Sequence, residues 1–395
     1  MITSTVGGKR IESVGEPMTV LNPADGTNEV ARVALAGADD FVAACRSAAS
    51  AQKAWARVPA PVRGQVIGAL GALVRANKEA LSRIVTREIG KPIAEARGEV
   101  QEIIDTCDFF LGEGRRLYGQ TVPSEMTDKA LFTFRVPVGV AAIVTAGNFP
   151  VAVPSWYIVP ALLCGNAVVW KPAEYAAASA DAFAELIRKA GVPDGVFDVV
   201  YADGESTFAG LSGALDAGVV HKVGFTGSSD VGTRIGELCG RHLQSPCLEL
   251  GGKNPMVVAP DADLALAVEG ALFAGFGSAG QRCTSLGTAI VHESVYDQFL
   301  SQLDAALKAA VIGDPMRTDV LYGPMLAPKF AERFESFLEW IEPSHRVLGS
   351  SGTGRITADN PRDGFAGDLG GLYYHPTVVA DLLPLDQLFR EETFG

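Results

Sequence analysis

From Pro137 onward short apolar runs alternate with helical segments, and this alternation restricts the fold more than any other feature of the chain. Val140–Val144, Ala167–Trp170, Val196–Val200 and Val219–Thr226 are short and apolar on both faces, as strands covered on two sides must be. Between them lie segments with helical character, among them Ala178–Ala190 and Val231–His242. Buried strands separated by helices imply a parallel sheet with crossover helices, hence an α/β fold. A second series begins after Glu249: Pro255–Val258, a helix from Leu264 to about Phe276, Thr288–His292 and a helix over Val295–Ala310. The seam between two α/β units therefore falls near residue 250.

The first third reads as helical. Val66, Ile67, Leu70, Leu73, Val74, Leu81, Ile84 and Val85 recur at three- and four-residue steps and form one apolar stripe. Gly90 and Pro92 supply its stop, and a further helix is expected over Ile93–Phe110. Tyr118–Val136 is turn-rich, then β-leaning, and reads as an extended arm. The length of 395 residues suits two or three domains, and 48% apolar residues exclude disorder as the overall state. A net charge of −13 argues against nucleic-acid binding and favours small-molecule partners. The longest apolar stretch, Phe149–Cys164, is broken by three prolines and is not a membrane span; the N-terminus lacks a signal-peptide pattern. Six dispersed cysteines without a CxxC pair fit reduced thiols in a cytoplasm.

Five local patterns carry chemistry. Cys283 follows Gly277-Ser278-Ala279-Gly280-Gln281-Arg282, where small residues leave room for a substrate and the arginine favours a thiolate. Glu249 stands between leucines ahead of Gly251-Gly252, a position where desolvation would raise a carboxyl pKa to suit a general base. Asn148 follows the strand Val140–Val144, and an amide at a strand end can donate to a developing oxyanion. Lys171 and Glu174 lie beyond a strand's carboxyl end, where open sheets bind ligands. Gly227-Ser228-Ser229-Asp230-Val231-Gly232 opens a helix after a strand and offers a phosphate site without being GxGxxG. Each has a plain alternative: a buried thiol, a solvated strand-end carboxylate, an ordinary turn.

Together these residues resemble the NAD(P)-dependent aldehyde dehydrogenases, from about residue 20 to the last residue. Asn148-Phe149-Pro150, Trp170-Lys171-Pro172-Ala173-Glu174, Phe225-Thr226-Gly227-Ser228, Leu248-Glu249-Leu250-Gly251-Gly252, Gly280-Gln281-Arg282-Cys283 and Glu391-Glu392-Thr393-Phe394-Gly395 stand in that family's order and approximate spacing. The resemblance implies two Rossmann-type parallel-sheet domains plus a β oligomerisation arm. It implies an NAD-binding domain from 1–117 and 137–249, the bridging arm at 118–136, and a catalytic domain from 250–395 that stops short of the family's C-terminal part. It implies that Cys283 attacks an aldehyde, Asn148 stabilises the oxyanion, and Glu249 activates the water that releases the acid. Lys171 and Glu174 are then expected at the adenosine ribose, Gly227, Ser228 and Gly232 at the pyrophosphate, and Glu392 and Phe394 at the nicotinamide ribose. Phe149 and Trp156 are expected as tunnel aromatics, and the arm implies a homodimer or homotetramer.

Gly147 departs from the aromatic that many members carry before the asparagine. Glu174 near the ribose would repel a 2′-phosphate, which favours NAD over NADP. Arg282 beside the nucleophile is expected to clamp the carboxylate of a short semialdehyde, and the Gln-Arg-Cys-Thr run is similar to the antiquitin-like branch. The competing readings are a coenzyme A-acylating relative, opposed by Glu249, and an inactive NAD-binding or scaffold subunit. Metal catalysis is not expected, because the five histidines form no ligand pair and no HExxH occurs.

Overall fold

The computed structural model describes residues 1–12, 16–349 and 352–395. Two compact units emerge. Unit 1 comprises residues 1–19, 31–81 and 98–249; unit 2 comprises 20–30, 82–97 and 250–395. Strands β1 (Thr5–Val6) and β2 (Lys9–Arg10) form a hairpin, followed by β3 (Met18–Leu21) and β4 (Glu29–Val33). Four helices follow: α1 (Ala38–Trp55), α2 (Ala60–Ala76), α3 (Lys78–Ile89) and α4 (Ile93–Glu113). The single apolar stripe of the sequence is thus two helices, because the chain leaves helical geometry at Asn77 (φ −109°, ψ 12°). Its stop lies where expected, with Gly90 at φ 72°.

The arm pairs β5 (Thr121–Val122) with β6 (Leu131–Phe132) antiparallel, and it leaves Tyr118, Phe132, Phe134 and Val136 exposed. Unit 1 is then built by β7 (Val140–Val144), α5 (Ala152–Leu163), β8 (Ala167–Lys171), α6 (Ala177–Lys189), β9 (Phe197–Val199), α7 (Gly204–Asp216), β10 (Lys222–Gly227), α8 (Ser229–Arg241) and β11 (Cys247–Leu250). The sheet order is β11-β10-β7-β8-β9, with parallel pairing from β10 through β9. Every residue of β7 and β8 is buried, which is why both read as unbroken apolar runs. Trp170 anchors the core edge-on to Phe183, ring centroids 6.1 Å apart. His221 precedes β10 rather than lying within it, and its Nδ1 accepts the Val140 N–H at 3.2 Å, a structural role.

Unit 2 contains β12 (Asn254–Val258), α9 (Leu264–Phe276), β13 (Leu286–Val291), α10 (Tyr296–Ala309) and, further on, α11 (Pro328–Leu338). β12 and β13 pair in parallel. Val258, Val268, Phe299, Leu303 and Leu307 form one core, and Tyr322, Met325, Phe334 and Tyr373 another. Among the described residues no helix is long and apolar enough to cross a membrane, and no His/Cys/Asp/Glu group is arranged to hold a metal ion. None of the six cysteines is in a disulfide.

Candidate active site

In unit 1 the sequence-predicted residues gather where the strands of one sheet run out. After β7 the turn 145–151 carries Asn148 and Phe149, both half-buried. Its far end meets a buried carboxylate: Glu99 Oε1 accepts the N–H groups of Val151 (3.0 Å) and Ala152 (3.2 Å). Helix α5 has no capping side chain of its own, so Glu99 from α4 satisfies donors that a helix start leaves unpaired. Trp156, on α5, is 47% exposed.

β8 ends at Lys171, whose Nζ pairs with Glu174 Oε2 at 3.1 Å. This pairing offsets the carboxylate's charge. β10 ends at Gly227, and Ser228 caps the thirteen-residue α8, its Oγ accepting the Val231 N–H at 3.4 Å. Gly232 is buried in the first turn of that helix. Glu249 lies on β11, at the edge of the sheet, where residues alternate exposed and half-buried. Its side chain is exposed rather than enclosed between the two leucines. An edge strand covers one side only, which the leucines could not reveal.

In unit 2, α9 runs into a tight turn, Gly277–Gly280, in which Ser278 (φ 51°) and Ala279 (φ 55°) adopt left-handed backbone. Non-glycine residues resist that conformation by roughly 1–2 kcal/mol each, so neighbours must impose it. Glu95 does: it accepts the Ser278 N–H at 3.0 Å, the Ser278 hydroxyl at 2.5 Å, and the Arg282 guanidinium. That guanidinium also stacks 4.6 Å from the centre of the Phe273 ring. Gln281 ties the same turn down, donating to Ser278 O and accepting the Leu326 N–H. Cys283 follows, half-buried and in no disulfide, with Asn254 Nδ2 donating to its carbonyl at 2.8 Å. The guanidinium expected as a substrate clamp is thus paired with Glu95 in this structure. Its charge is spent on Glu95, and the pair holds the backbone that leads to the thiol.

Glu392 and Phe394 also lie in unit 2. A Cβ at Gly251 would sit 2.0 Å from Glu392 Oε2, so only glycine lets this carboxylate lie against the strand-end turn. Burial holds Lys253 below the ordinary lysine range, against the pull of Glu392 and Glu391. The Phe394 ring packs 6.0 Å from that of Phe330.

The aldehyde dehydrogenase family pattern matches residues 11–395. The chain belongs to the aldehyde dehydrogenase family. It is 36% identical to succinate-semialdehyde dehydrogenase [NADP(+)] GabD of Escherichia coli, over 96% of this chain and 76% of that protein. It is likewise 36% identical to aldehyde dehydrogenase family 7 member A1 of Brassica napus, over 99% of this chain and 76% of the relative. The solved NAD-dependent aldehyde dehydrogenase of Sinorhizobium meliloti superposes with a TM-score of 0.92 at 34% identity, covering all of this chain and 76% of that one. The chain is thus an NAD(P)-dependent aldehyde dehydrogenase with the α/β fold of that family.

Two features fit a dinucleotide. The start of α8 offers the Ser228 hydroxyl and helix N–H groups to phosphate. Among the described residues Glu392 Oε1 is buried with no hydrogen-bond partner, an acceptor that a ligand's hydroxyl group would satisfy. Sequence reasoning missed Glu95 and Glu99. The available signal was two carboxylates one helical turn apart beside the buried Ile93, Ala96 and Val100 of α4.

Proposed function

We propose that the enzyme oxidises a short semialdehyde with an acidic tail to the corresponding acid. The Cys283 sulfur adds to the aldehyde carbon, forming a thiohemiacetal whose oxyanion accepts hydrogen bonds from the Asn148 amide and the Cys283 N–H. The bound dinucleotide supplies a hydride acceptor. Loss of hydride leaves a thioester on Cys283, and Glu249 takes a proton from the water that cleaves it, releasing the acid and the thiol. Lys171 and Glu174 bind the adenosine ribose, Gly227, Ser228 and Gly232 the pyrophosphate, and Glu392 and Phe394 the nicotinamide ribose. Residues 1–117 and 137–249 form the dinucleotide-binding domain and 250–395 the catalytic one. Phe149 and Trp156 cover the apolar part of the substrate, and NAD is the preferred cofactor.

One observation supports this reading most: the Cys283 thiol follows a left-handed turn that Glu95 and Gln281 hold, and Asn254 fixes the carbonyl of Cys283 itself. The acidic tail rests on the names of the relatives rather than on Arg282. The exposed aromatics of the 118–136 arm favour pairing with a second copy, in a homodimer or homotetramer. Six cysteines outside any disulfide fit a cytoplasmic location.

The test is NADH formation from succinic semialdehyde and hexanal by wild type and Arg282→Ala. Wild type prefers the semialdehyde, and the variant loses kcat/KM equally on both. A preference for hexanal overturns the substrate assignment, and a loss confined to the semialdehyde restores Arg282 as a clamp. Acyl-coenzyme A as the main product would replace hydrolysis by thiol transfer.

A further inference from the structure

The turn bearing Asn148 is held at its near end by a contact from a neighbouring segment. Gly147 has no side chain of its own, and a ring arrives there from Tyr175. A Cβ built on Gly147 would lie 2.4 Å from the Tyr175 ring. Tyr175 sits in the single helical turn Glu174–Ala176 that follows β8, and its phenolic oxygen accepts the Gly147 N–H. Burial and the neighbouring Glu174 carboxylate both push its ionisation above the ordinary phenol range, so the group stays a neutral hydroxyl.

Sheet register explains how the two turns meet. β7 and β8 are parallel neighbours with Val144 opposite Lys171, so the segments that leave them run side by side. The Thr145 N–H donates to Lys171 O at 3.1 Å, and Trp170 Nε1 donates to Thr145 Oγ1 at 2.9 Å. Tyr175 extends this run of contacts to the residue just before Asn148. Glycine in that place would leave the backbone free to swing, and an oxyanion donor is useful only when its direction is fixed in advance.

We propose that Tyr175 is the positioning residue of the Asn148 turn: its hydroxyl fixes the Gly147 N–H and its ring fills the space that a side chain at 147 would occupy. It acts through Asn148, and so rests on the oxyanion role given above. Glu99 fixes the other end of the same turn at Val151 and Ala152.

The test is the pre-steady-state NADH burst with saturating succinic semialdehyde, in the full chain and in Tyr175→Phe, Asn148→Ala, the double variant, and Gly147→Ala. Tyr175→Phe keeps the ring and loses the acceptor. Its burst slows about tenfold while the Kd for NAD, read by fluorescence, stays within about twofold. Asn148→Ala slows the burst by about a hundredfold or more. The double variant matches Asn148→Ala alone, because Tyr175 has nothing left to position. Gly147→Ala, which displaces the ring, slows the burst as Tyr175→Phe does. A wild-type burst in both Tyr175→Phe and Gly147→Ala overturns the proposal, and so do losses that multiply in the double variant. An unchanged burst in Asn148→Ala alone is a different failure, since it removes the oxyanion role itself.

Discussion

Replacing Glu95 by alanine should loosen the turn that presents Cys283, and the size of the effect follows from its contacts. The carboxylate holds the Ser278 N–H, a charge-assisted bond contributing about 1.5–3 kcal/mol. It also neutralises Arg282; the two side chains retain 16% and 13% exposure, so removing one partner leaves a largely buried cation. Breaking such a pair costs about 3–5 kcal/mol when fully buried, and about 2 kcal/mol is a fair share here. Against these losses stands the relief of two left-handed residues, Ser278 and Ala279, at roughly 1–2 kcal/mol each. With about 1 kcal/mol for the Ser278 hydroxyl bond to the same carboxylate, the net destabilisation is about 2 kcal/mol, confined to this turn. Hydrogen exchange read by mass spectrometry on a peptide covering 277–285 measures it directly: 2 kcal/mol corresponds to exchange faster by roughly thirtyfold. Glu95→Gln keeps an acceptor for Ser278 and should show a smaller acceleration. Exchange in Glu95→Ala within about twofold of wild type would refute the view that this carboxylate imposes the turn.

Two further perturbations probe other parts of the account. Glu174→Gln removes the carboxylate paired with Lys171 and leaves an uncompensated cation, so kcat/KM for NADP relative to NAD should rise about tenfold; an unchanged ratio removes Glu174 from cofactor choice. Burial holds His375 below the ordinary histidine value of 6.5. As pH falls from 6.5 to that lower folded value, the unfolded chain takes up the proton first, so stability declines across the window by at most about 1.4 kcal/mol per pH unit. Urea titrations at stepped pH should show this slope, and His375→Gln should flatten it.

Strands buried on both faces were legible in the sequence, since burial leaves an unbroken apolar run: Val140–Val144 has the expected limits. Helix α1 was not, because Ala44, Cys45 and Ala48 make most of its buried face and contrast little with its surroundings. The ordered motifs around Asn148, Lys171, Glu249 and Cys283 pointed to the family because each is local. What holds them is not local. Glu95 lies 187 positions from Arg282, and no spacing rule joins them. The exposure of Glu249 likewise depends on where β11 falls in the sheet, which its flanking leucines do not encode. Tyr175 drew no notice in the sequence, because only the β7–β8 register brings its turn against Gly147.

The central claim is that the sulfur of Cys283 forms the covalent bond through which the aldehyde is oxidised. Steady-state NADH formation by Cys283→Ser, with succinic semialdehyde and NAD, tests it most directly. Serine keeps the shape but is a far weaker nucleophile at neutral pH, and turnover should fall by about a thousandfold or more. Turnover by Cys283→Ser at the wild-type rate would contradict the mechanism.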